Sequence, residues 1–236
     1  MKPKFKKIML KLSGEGLANE NQGGIDAKAV NRLALEIKSV VDLGVKVCMV
    51  IGGGNFFRGV KNAVGKMDRS VADQIGMLAT AMNALVMKSA LEECGCEAQV
   101  FSGLSMPMVC ETYTFNNASE ALNLGKVVIF AGGTGNPYFT TDTGAVLRAL
   151  EMHCEVVMKA TQVDGVYDCD PRSNANANRY DEISYNEVLE KHLNVMDMSA
   201  IALARDNQMP LMVFAQKGEN AILNALCAIN KHTIIK

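Results

Sequence analysis

The sequence predicts an α/β fold, an αβα sandwich in which helices cover both faces of a mainly parallel central sheet. Short apolar runs alternate with helical patterns along all 236 residues, as in chains that build such sheets. Two of the apolar runs lead directly into glycine-rich segments, at residues 52–54 and 132–135. Ligands of open α/β sheets bind beyond the carboxyl ends of the strands, so these two segments predict a site with two halves.

The first half of the chain contains four predicted strands and two predicted helices. The apolar runs that predict strands are Lys7–Leu12, 45–51, 98–101 and Val127–Ala131. Asp26 is the predicted N-cap of a helix that reaches about Leu43 and that Gly44 ends. A long helix is predicted over Arg69–Glu93, which Gly95 ends. Its apolar residues at helical spacing are Ile75, Leu78, Met82, Leu85 and Val86.

The second half continues the alternation. Two threonines precede a predicted helix at 142–152, and a strand follows at 155–159. Further helices are predicted at 183–190 and 196–205, a strand at 211–214 and a closing helix at 219–229. Residues 170–179 are rich in asparagine and predict a loop, and residues 59–69 predict a second, flexible segment.

Composition excludes several classes of protein. The formal net charge of -1 argues against a nucleic-acid partner, because such proteins usually carry a strong basic excess. No apolar run approaches the ~18 residues of a membrane-spanning helix, and the run Ile8-Met9-Leu10 is too short for a secretion signal. The seven cysteines are scattered without metal-ligand spacing, which predicts reduced thiols and a cytoplasmic protein.

The common phosphate-binding fingerprints are absent. A dinucleotide-binding pattern could begin at Gly52 and Gly54, but Phe57 stands where its third glycine is needed. Five residues separate Gly59 from Gly65, and Met67 follows Lys66, so the nucleotide-binding P-loop also fails. The protein-kinase motifs do not occur. A phosphoryl-transfer enzyme of this sequence must therefore use another scaffold.

Three basic residues nevertheless stand where phosphoryl transfer needs positive charge. Lys11 and Lys159 end predicted strands, and Arg58 follows the triple glycine at 52–54. A buried ammonium group without a partner is costly, so lysines at the ends of apolar strands need a reason. Lysines, arginines and backbone N–H groups neutralise the charge of a phosphoryl group in transfer. The pattern predicts such a reaction.

Four motifs resemble those of the bacterial UMP kinases, within the amino acid kinase superfamily. They are KLSG at 11–14, IGGGNFFRG at 51–59, GTGNPYFTTD at 133–142 and VMKATQVDGVYDCDP at 157–171, and the resemblance runs from about Lys7 to Phe214. It implies one domain over residues 1–236, with a UMP half to about residue 150 and an ATP half at about 151–236. It implies transfer of a phosphoryl group from ATP to UMP, giving ADP and UDP for pyrimidine nucleotide synthesis.

The resemblance also implies roles for individual residues. The catalytic set would be Lys11, Lys159, Asp142 and Arg58, with Asp142 between the two lysines. The ATP site would comprise Lys11, Leu12, Ser13, Gly14, Gly54, Arg58, Thr161, Tyr167 and Asp170. The UMP site would comprise Gly53, Asp73, Thr134, Gly135, Asn136, Pro137, Tyr138, Phe139, Thr140 and Thr141. Mg²⁺ would arrive with ATP, held mostly by phosphates and water, so no protein ligand is assigned to it.

Regulation and assembly are likewise expectations from the resemblance: a homohexamer, inhibited by UTP and activated by GTP. The family's GTP-response region often contains a tryptophan, and this chain has Phe115 there and no tryptophan at all. Lys88, Glu92, Gln99 and Lys126 stand where relatives carry arginine or histidine.

Two alternatives remain open at the level of the sequence. A kinase of the same superfamily with carbamate or an amino acid as acceptor would share the lysines and the triple glycine, but would not be expected to carry Asp73 or the threonine-rich loop. A non-catalytic protein that stores oxoanions on this fold would be expected to lack Lys11 and Lys159, and both are present.

Overall fold

The computed structural model describes residues 2–18, 23–57 and 67–236. A nine-stranded sheet crosses this part of the molecule in the order β4-β3-β5-β2-β1-β6-β10-β11-β9, and β7 and β8 pair separately. The strands are β1 (Lys7–Leu12), β2 (Lys46–Ile51), β3 (Ala98–Ser102), β4 (Glu111–Thr112), β5 (Val127–Ala131), β6 (Val156–Thr161), β7 (Val166–Tyr167), β8 (Arg179–Tyr180), β9 (Glu182–Ile183), β10 (Leu211–Ala215) and β11 (His232–Ile235). The helices are α1 (Ala27–Val41), α2 (Arg69–Glu93), α3 (Phe115–Asn123), α4 (Thr141–Glu151), α5 (Tyr185–Glu190), α6 (Met198–Asp206) and α7 (Ala221–Leu226).

The sheet is mainly parallel, as predicted. Within its nine strands only β10 and β11 pair antiparallel. The central strand β1 shows why both faces are covered: Ile8, Leu10 and Leu12 belong to one apolar cluster, while Met9 belongs to the other. The first cluster includes residues of α1, α2 and α7, and the second includes residues of α3, α4, α5 and α6. Helices on both faces of one sheet confirm the αβα architecture.

Local signals set most element boundaries. Asp26 caps α1 as predicted, because its Oδ1 accepts the N–H of Lys28 at 2.9 Å. The predicted bounds of β1, α2 and β5 are confirmed without change. The helix predicted at 183–190 begins later, because Ile183 pairs in β9 and Ser184 forms a capping box with Glu187. The closing helix is shorter than predicted and ends at Leu226.

The apolar residues at helical spacing along α2 do not form its buried side. Leu78 is 52% exposed and Met82 44% exposed, and Ile75 is half-buried. The buried side instead carries Thr80, Ala84, Met87 and Leu91. Thr80 and Ala84 are small, so the part of the helix that contains them can approach the sheet closely, and Leu78 and Met82 are left on the outer side.

Several elements carry no signal in the sequence patterns: the two-residue strands β4, β7, β8 and β9, and also α3 and β11. Helix α3 has only nine residues, and its cap is Thr114, which accepts the N–H of Asn117 at 3.2 Å. Strand β11 has four residues and two polar side chains, so no apolar run marks it. The loop predicted at 170–179 joins β7 to β8, and most of the segment predicted at 59–69 lies outside the described residues. None of the helices found in the described ranges is long and apolar enough to cross a membrane.

Candidate active site

Three charged side chains meet at the carboxyl edge of the sheet centre. Lys11 on β1 and Lys159 on β6 are direct partners in the strand register. The carboxylate of Asp142, in the first turn of α4, lies between them: its Oδ1 is 2.6 Å from Lys11 Nζ and its Oδ2 is 2.6 Å from Lys159 Nζ. We call these three residues the lysine–aspartate cluster. It places two positive charges side by side and fixes their separation.

The cluster is nearly closed to solvent, which strengthens its internal electrostatics. The side chains of Lys11, Asp142 and Lys159 are 10%, 12% and 13% exposed. Burial alone would raise the pKa of Asp142, but the attraction of both lysines outweighs it and lowers that pKa. Burial lowers the pKa of Lys159, and the charge of Asp142 offsets part of the effect. Asp142 therefore carries its negative charge at neutral pH.

Asp197 holds the start of α4, the segment that carries Asp142. It caps α6 by accepting the N–H of Ala200 at 2.9 Å, and it accepts the hydroxyl of Thr143 at 2.8 Å. The hydroxyl of Thr140, the N-cap of α4, also donates to Asp197. Nearby, the Val195 carbonyl accepts a hydrogen bond from Lys159 Nζ at 2.5 Å. One acidic side chain thus ties the start of α4 to the start of α6.

A cleft of about 500 Å³, the larger cleft, opens on the β6 side of the cluster. It includes Lys159, Thr161, Tyr167 and Asp170 among its lining residues, together with the loop at 191–195. The Thr161 hydroxyl donates to the Val163 carbonyl at 2.6 Å and shapes the end of β6. The volume of the larger cleft suits a nucleotide-sized ligand.

Two side chains of the larger cleft are held by charged neighbours. The Tyr167 hydroxyl donates to Asp164 Oδ1 at 2.5 Å, and this hydrogen bond raises the pKa of the phenol. Arg172 donates hydrogen bonds to both carboxylate oxygens of Asp170, from Nε to Oδ1 at 3.0 Å and from Nη2 to Oδ2 at 2.9 Å. These bonds lower the pKa of the Asp170 carboxyl. A ligand that uses the Asp170 carboxylate must share it with Arg172.

A cleft of about 150 Å³, the smaller cleft, opens on the β2 and β5 side. Of the predicted site residues, it is lined by Gly53, Gly54, Asp73, Phe139, Thr140 and Thr141. Thr140 and Thr141 stand directly before Asp142, so the smaller cleft and the larger cleft approach the cluster from two sides. The positive end of the α4 dipole also faces this junction.

The rest of the predicted UMP loop forms a turn beside the smaller cleft. The Thr134 hydroxyl closes this turn by accepting the Asn136 N–H at 3.2 Å. Gly135 and Pro137 belong to the same turn. Tyr138 has a left-handed backbone with φ of 71°, and Asp73 Oδ2 accepts its N–H at 2.8 Å. The Arg69 guanidinium lies 4.7 Å from the centre of the Tyr138 ring. These contacts join the loop to the start of α2.

The glycines of the site differ in how much room their surroundings leave for a side chain. A Cβ on Gly53 would meet the Gly76 carbonyl at 2.8 Å, and one on Gly14 would overlap the Gly52 carbonyl, so close chain packing excludes a side chain at both. A Cβ on Gly54 would meet only Glu15, at 3.7 Å, and Gly54 faces the open cleft. Close chain packing therefore already requires glycine at positions 14 and 53, and this requirement does not depend on a bound ligand.

Leu12 and Ser13, two further residues of the predicted ATP site, stand at the end of β1 and directly after it. The Leu12 side chain is fully buried, and its carbonyl accepts the Gly52 N–H at 3.0 Å. Ser13 caps a short 3-10 turn at Gly14–Leu17. Arg58 lies outside the described residues. Among the residues that are described, no group of three His, Cys, Asp or Glu side chains could hold a metal ion.

Sequence reasoning missed several supporting residues. Asp197 was overlooked because the helix was predicted to begin at 196, although an aspartate directly before an apolar helical run is itself an N-cap signal. Asn83 is fully buried on α2 and donates to the Gly52 carbonyl at 2.7 Å, and it also hydrogen-bonds with Asn55. No spacing in the sequence marks that pair.

The comparisons with known proteins agree with this geometry. The sequence model of the amino acid kinase family matches residues 6–215. Uridylate kinase of Paramagnetospirillum magneticum is 52% identical over 98% of this chain and 97% of its own length, and that of Rickettsia typhi is 48% identical over 99% and 96%. The crystal structure of UMP kinase from Ureaplasma parvum superposes with a TM-score of 0.94 at 37% identity, covering 99% of both chains.

Fold and site together define the class: a phosphotransferase scaffold in which two lysines and an aspartate lie between two clefts. The chain belongs to the amino acid kinase family and, within it, to the uridylate kinases.

Proposed function

We propose that this chain transfers the γ-phosphoryl group of ATP to UMP and yields ADP and UDP. The observation that carries the proposal is the lysine–aspartate cluster at the junction of two clefts, with Asp142 2.6 Å from both ammonium groups. Two uridylate kinases that are 52% and 48% identical to this chain over nearly its full length support UMP as the acceptor. The reaction belongs to the synthesis of pyrimidine nucleotides, including CTP.

In the proposed mechanism, a phosphate oxygen of UMP attacks the γ-phosphorus of ATP. The new P–O bond forms as the bond from the γ-phosphorus to the β,γ-bridging oxygen breaks, and ADP leaves with that electron pair. Lys11 and Lys159 neutralise the negative charge of the phosphoryl group in transfer, while Asp142 keeps them in place. No side-chain base is needed, because the UMP phosphate is already ionised. Arg58 is proposed to hold phosphate.

The larger cleft is proposed to bind ATP. Thr161, Tyr167 and Asp170 would line its adenosine part, with Lys159 at its inner end. The turn that follows β1 would face the phosphates through Lys11, Ser13 and the backbone at Leu12 and Gly14, with Gly54 on the facing loop. Mg²⁺ is proposed to enter with ATP and to neutralise phosphate charge. No protein ligand is assigned to it, because Mg²⁺ commonly keeps several waters and binds through substrate phosphates.

The smaller cleft is proposed to bind UMP. Asp73 would accept hydrogen bonds from the ribose hydroxyls, and one of its oxygens already accepts the Tyr138 N–H. Thr140, Thr141 and the start of α4 would face the UMP phosphate. The loop from Thr134 to Phe139, together with Gly53, would enclose the nucleoside.

We also propose that the whole chain works as one catalytic domain, with the division between halves near residue 150. The lining of the smaller cleft comes from residues 53–141 and that of the larger cleft from residues 159–213, which supports this division. A cytoplasmic location is proposed as well. All seven cysteines lie in described residues and are free thiols, as expected in a reducing compartment.

Product analysis tests the proposed reaction. With Mg²⁺, ATP and UMP, we expect ADP and UDP to form in equal amounts, as separated by ion-exchange chromatography. ADP formation without UDP would contradict the proposal, because it would show that water or another acceptor receives the phosphoryl group.

Asp73→Ala is expected to raise the KM for UMP by about tenfold or more, because a lost hydrogen bond to a ligand commonly costs a factor of this size. The KM for ATP should change far less, because Asp73 lines only the smaller cleft. Steady-state kinetics with each substrate varied in turn measures both constants. An equal rise in both KM values would remove Asp73 from the proposed ribose site.

Regulation by nucleotides is proposed in two parts. UTP is proposed to inhibit, because it shares the uridine and ribose of UMP and can compete for the smaller cleft. Of the five positions implied in the GTP response, all but Phe115 line a separate pocket of about 270 Å³, and both lysines among them contact other side chains of that pocket. Lys88 lies 3.6 Å from Glu92, and Lys126 donates to Gln99 at 3.3 Å.

GTP, the implied activator, is therefore expected to change kcat by less than about fivefold, the lower end of ordinary allosteric coupling. Glu92 places a negative charge where a triphosphate would need cations, so Glu92→Arg should increase the response. A titration of initial rate against GTP for both proteins measures this. Strong activation of the unmodified protein would show that the paired charges do not block GTP.

Self-association to a homohexamer is proposed from the exposed side of α2. Val71, Leu78 and Met82 are 45%, 52% and 44% exposed on one helix of 25 residues. Large apolar side chains grouped on one helix are typical of surfaces that another protein chain covers.

A further inference from the structure

The two-stranded hairpin beside the larger cleft depends on another part of the chain for its position. Strands β7 and β8 have two residues each, and Val166 and Tyr167 of β7 line the cleft. An isolated pair of such short strands is not stable in water. Contacts with the main sheet must therefore determine where this cleft wall stands.

One buried hydroxyl of β11 bonds to both strands of this hairpin, in addition to the pairing of β11 with β9, which follows β8 after one residue. Thr233 of β11 is fully buried, and its Oγ1 accepts the Val166 N–H at 2.8 Å. The same hydroxyl donates to the Tyr180 carbonyl, so it joins β7 and β8 at once. Arg179 adds a hydrogen bond from its Nη1 to the His232 carbonyl at 2.6 Å. A Cβ on Gly165 would overlap Thr233 Oγ1, which shows how closely the two segments approach.

We propose that Thr233 is a positioning residue that sets the width of the larger cleft and hence its affinity for the adenine nucleotide. This inference rests on the proposed function, in which that cleft binds ATP. Thr233 is not among the residues that line the cleft, so it acts through the two strands that its hydroxyl joins. Removal of the hydroxyl leaves the Val166 N–H and the Tyr180 carbonyl without their partner, and the hairpin must then be ordered by the nucleotide.

The opposite side of the molecule offers a matched control. Thr80 on α2 is 3% exposed, its Oγ1 accepts the Gly132 N–H at 2.8 Å, and it donates to the Met77 carbonyl at 2.6 Å. Thr80 thus holds the loop beside the smaller cleft as Thr233 holds the hairpin, although Thr80, unlike Thr233, also lines its cleft. The same substitution, threonine to valine, can be made at both sites.

Thr233→Val is expected to raise the KM for ATP about tenfold or more, because the nucleotide must then order a hairpin in which two hydrogen-bonding groups have lost their partner. The KM for UMP should stay close to its original value. Thr80→Val should show the reverse selectivity, and Thr233→Ser, which keeps the hydroxyl, should restore the KM for ATP. Calorimetric titration with ADP gives a second readout that does not depend on turnover, and its dissociation constant should rise by the same factor in Thr233→Val.

The outcomes separate the inference from the proposed function. If the unmodified protein forms no UDP, the proposed function fails. If it forms UDP but Thr233→Val leaves both the KM for ATP and the ADP dissociation constant unchanged, or raises both KM values equally, the inference is overturned. Should Thr233→Val fail to fold, Arg179→Gln decides the matter. It removes the second link to β11 and is expected to weaken ADP binding without a change in the KM for UMP, and unchanged ADP binding would overturn the inference.

Discussion

Replacement of Lys159 by methionine is expected to lower kcat by about 10³-fold, the usual effect of removing one group that stabilises charge in the transition state. Methionine keeps the length and the apolar stem of the side chain, so the packing of β6 should survive. The ammonium group that lies 2.6 Å from Asp142 at the inner end of the larger cleft is lost. Steady-state kinetics measures kcat, and calorimetry should show that UMP still binds.

Lys7→Met is the matched control for that substitution. Lys7 belongs to β1, the strand that pairs with β6, and like Lys159 it donates to a backbone carbonyl, that of Met152 at 3.0 Å. It stands at the first residue of the strand, away from both clefts. Its replacement should leave kcat nearly unchanged. A kcat for Lys159→Met that resembles the control would contradict the role given to Lys159.

Asp142→Asn is expected to lower kcat by about 10²-fold, because small displacements of positioned catalytic groups have effects of this order. Asparagine has nearly the same shape, but it carries no charge, and its amide group would face one of the two lysines with a donor instead of an acceptor. Two buried ammonium groups would then repel each other. The free energy of unfolding should also fall by about 3 kcal/mol, as when one partner of a buried ion pair is removed.

Glu36→Gln separates the two effects of that substitution. Glu36 is also a buried carboxylate, 5% exposed, but on α1, where it pairs with Arg32 and accepts the Ile222 N–H at 3.2 Å. Its replacement should lower the melting temperature with little change in kcat. If Asp142→Asn behaved in the same way, Asp142 would be a structural residue alone.

Much of the fold was predictable because local signals and tertiary packing agree. The strands of the sheet centre are continuous apolar runs, since both of their faces are buried. The cap at Asp26 and the end of α2 before Gly95 were marked by single residues with local physical roles. Strand β11 was missed because it pairs at one side of the sheet, and its buried Thr233 serves a hydrogen bond rather than the apolar core.

The buried side of α2 could not be read from spacing alone. Its large apolar residues predicted one side, whereas the sheet accepts the side with Thr80, Asn83 and Ala84, because these small or hydrogen-bonded residues allow close approach to the glycine loops. Sequence periodicity reports that a helix has an apolar stripe. It does not report whether that stripe meets the chain's own sheet or another protein.

The three residues of the lysine–aspartate cluster were predicted, but the contacts that hold them in place were not. Lysines at the ends of strands signalled buried charge, and the resemblance to UMP kinases placed Asp142 between them. The support from Asp197 and from the Val195 carbonyl depends on contacts between segments more than 30 residues apart along the chain, with Lys159 and Val195 separated by 36 and Thr143 and Asp197 by 54. Such contacts leave no pattern in one sequence.

The most direct test of the account is the choice of acceptor by the unmodified protein. ADP release from Mg²⁺-ATP can be followed in a coupled assay with UMP, CMP, dCMP, carbamate and glutamate, each added alone. The account predicts turnover with UMP and none with the other four. Turnover with carbamate or glutamate and none with UMP would contradict it, and would mean that the lysine–aspartate cluster had been interpreted correctly while the smaller cleft had not.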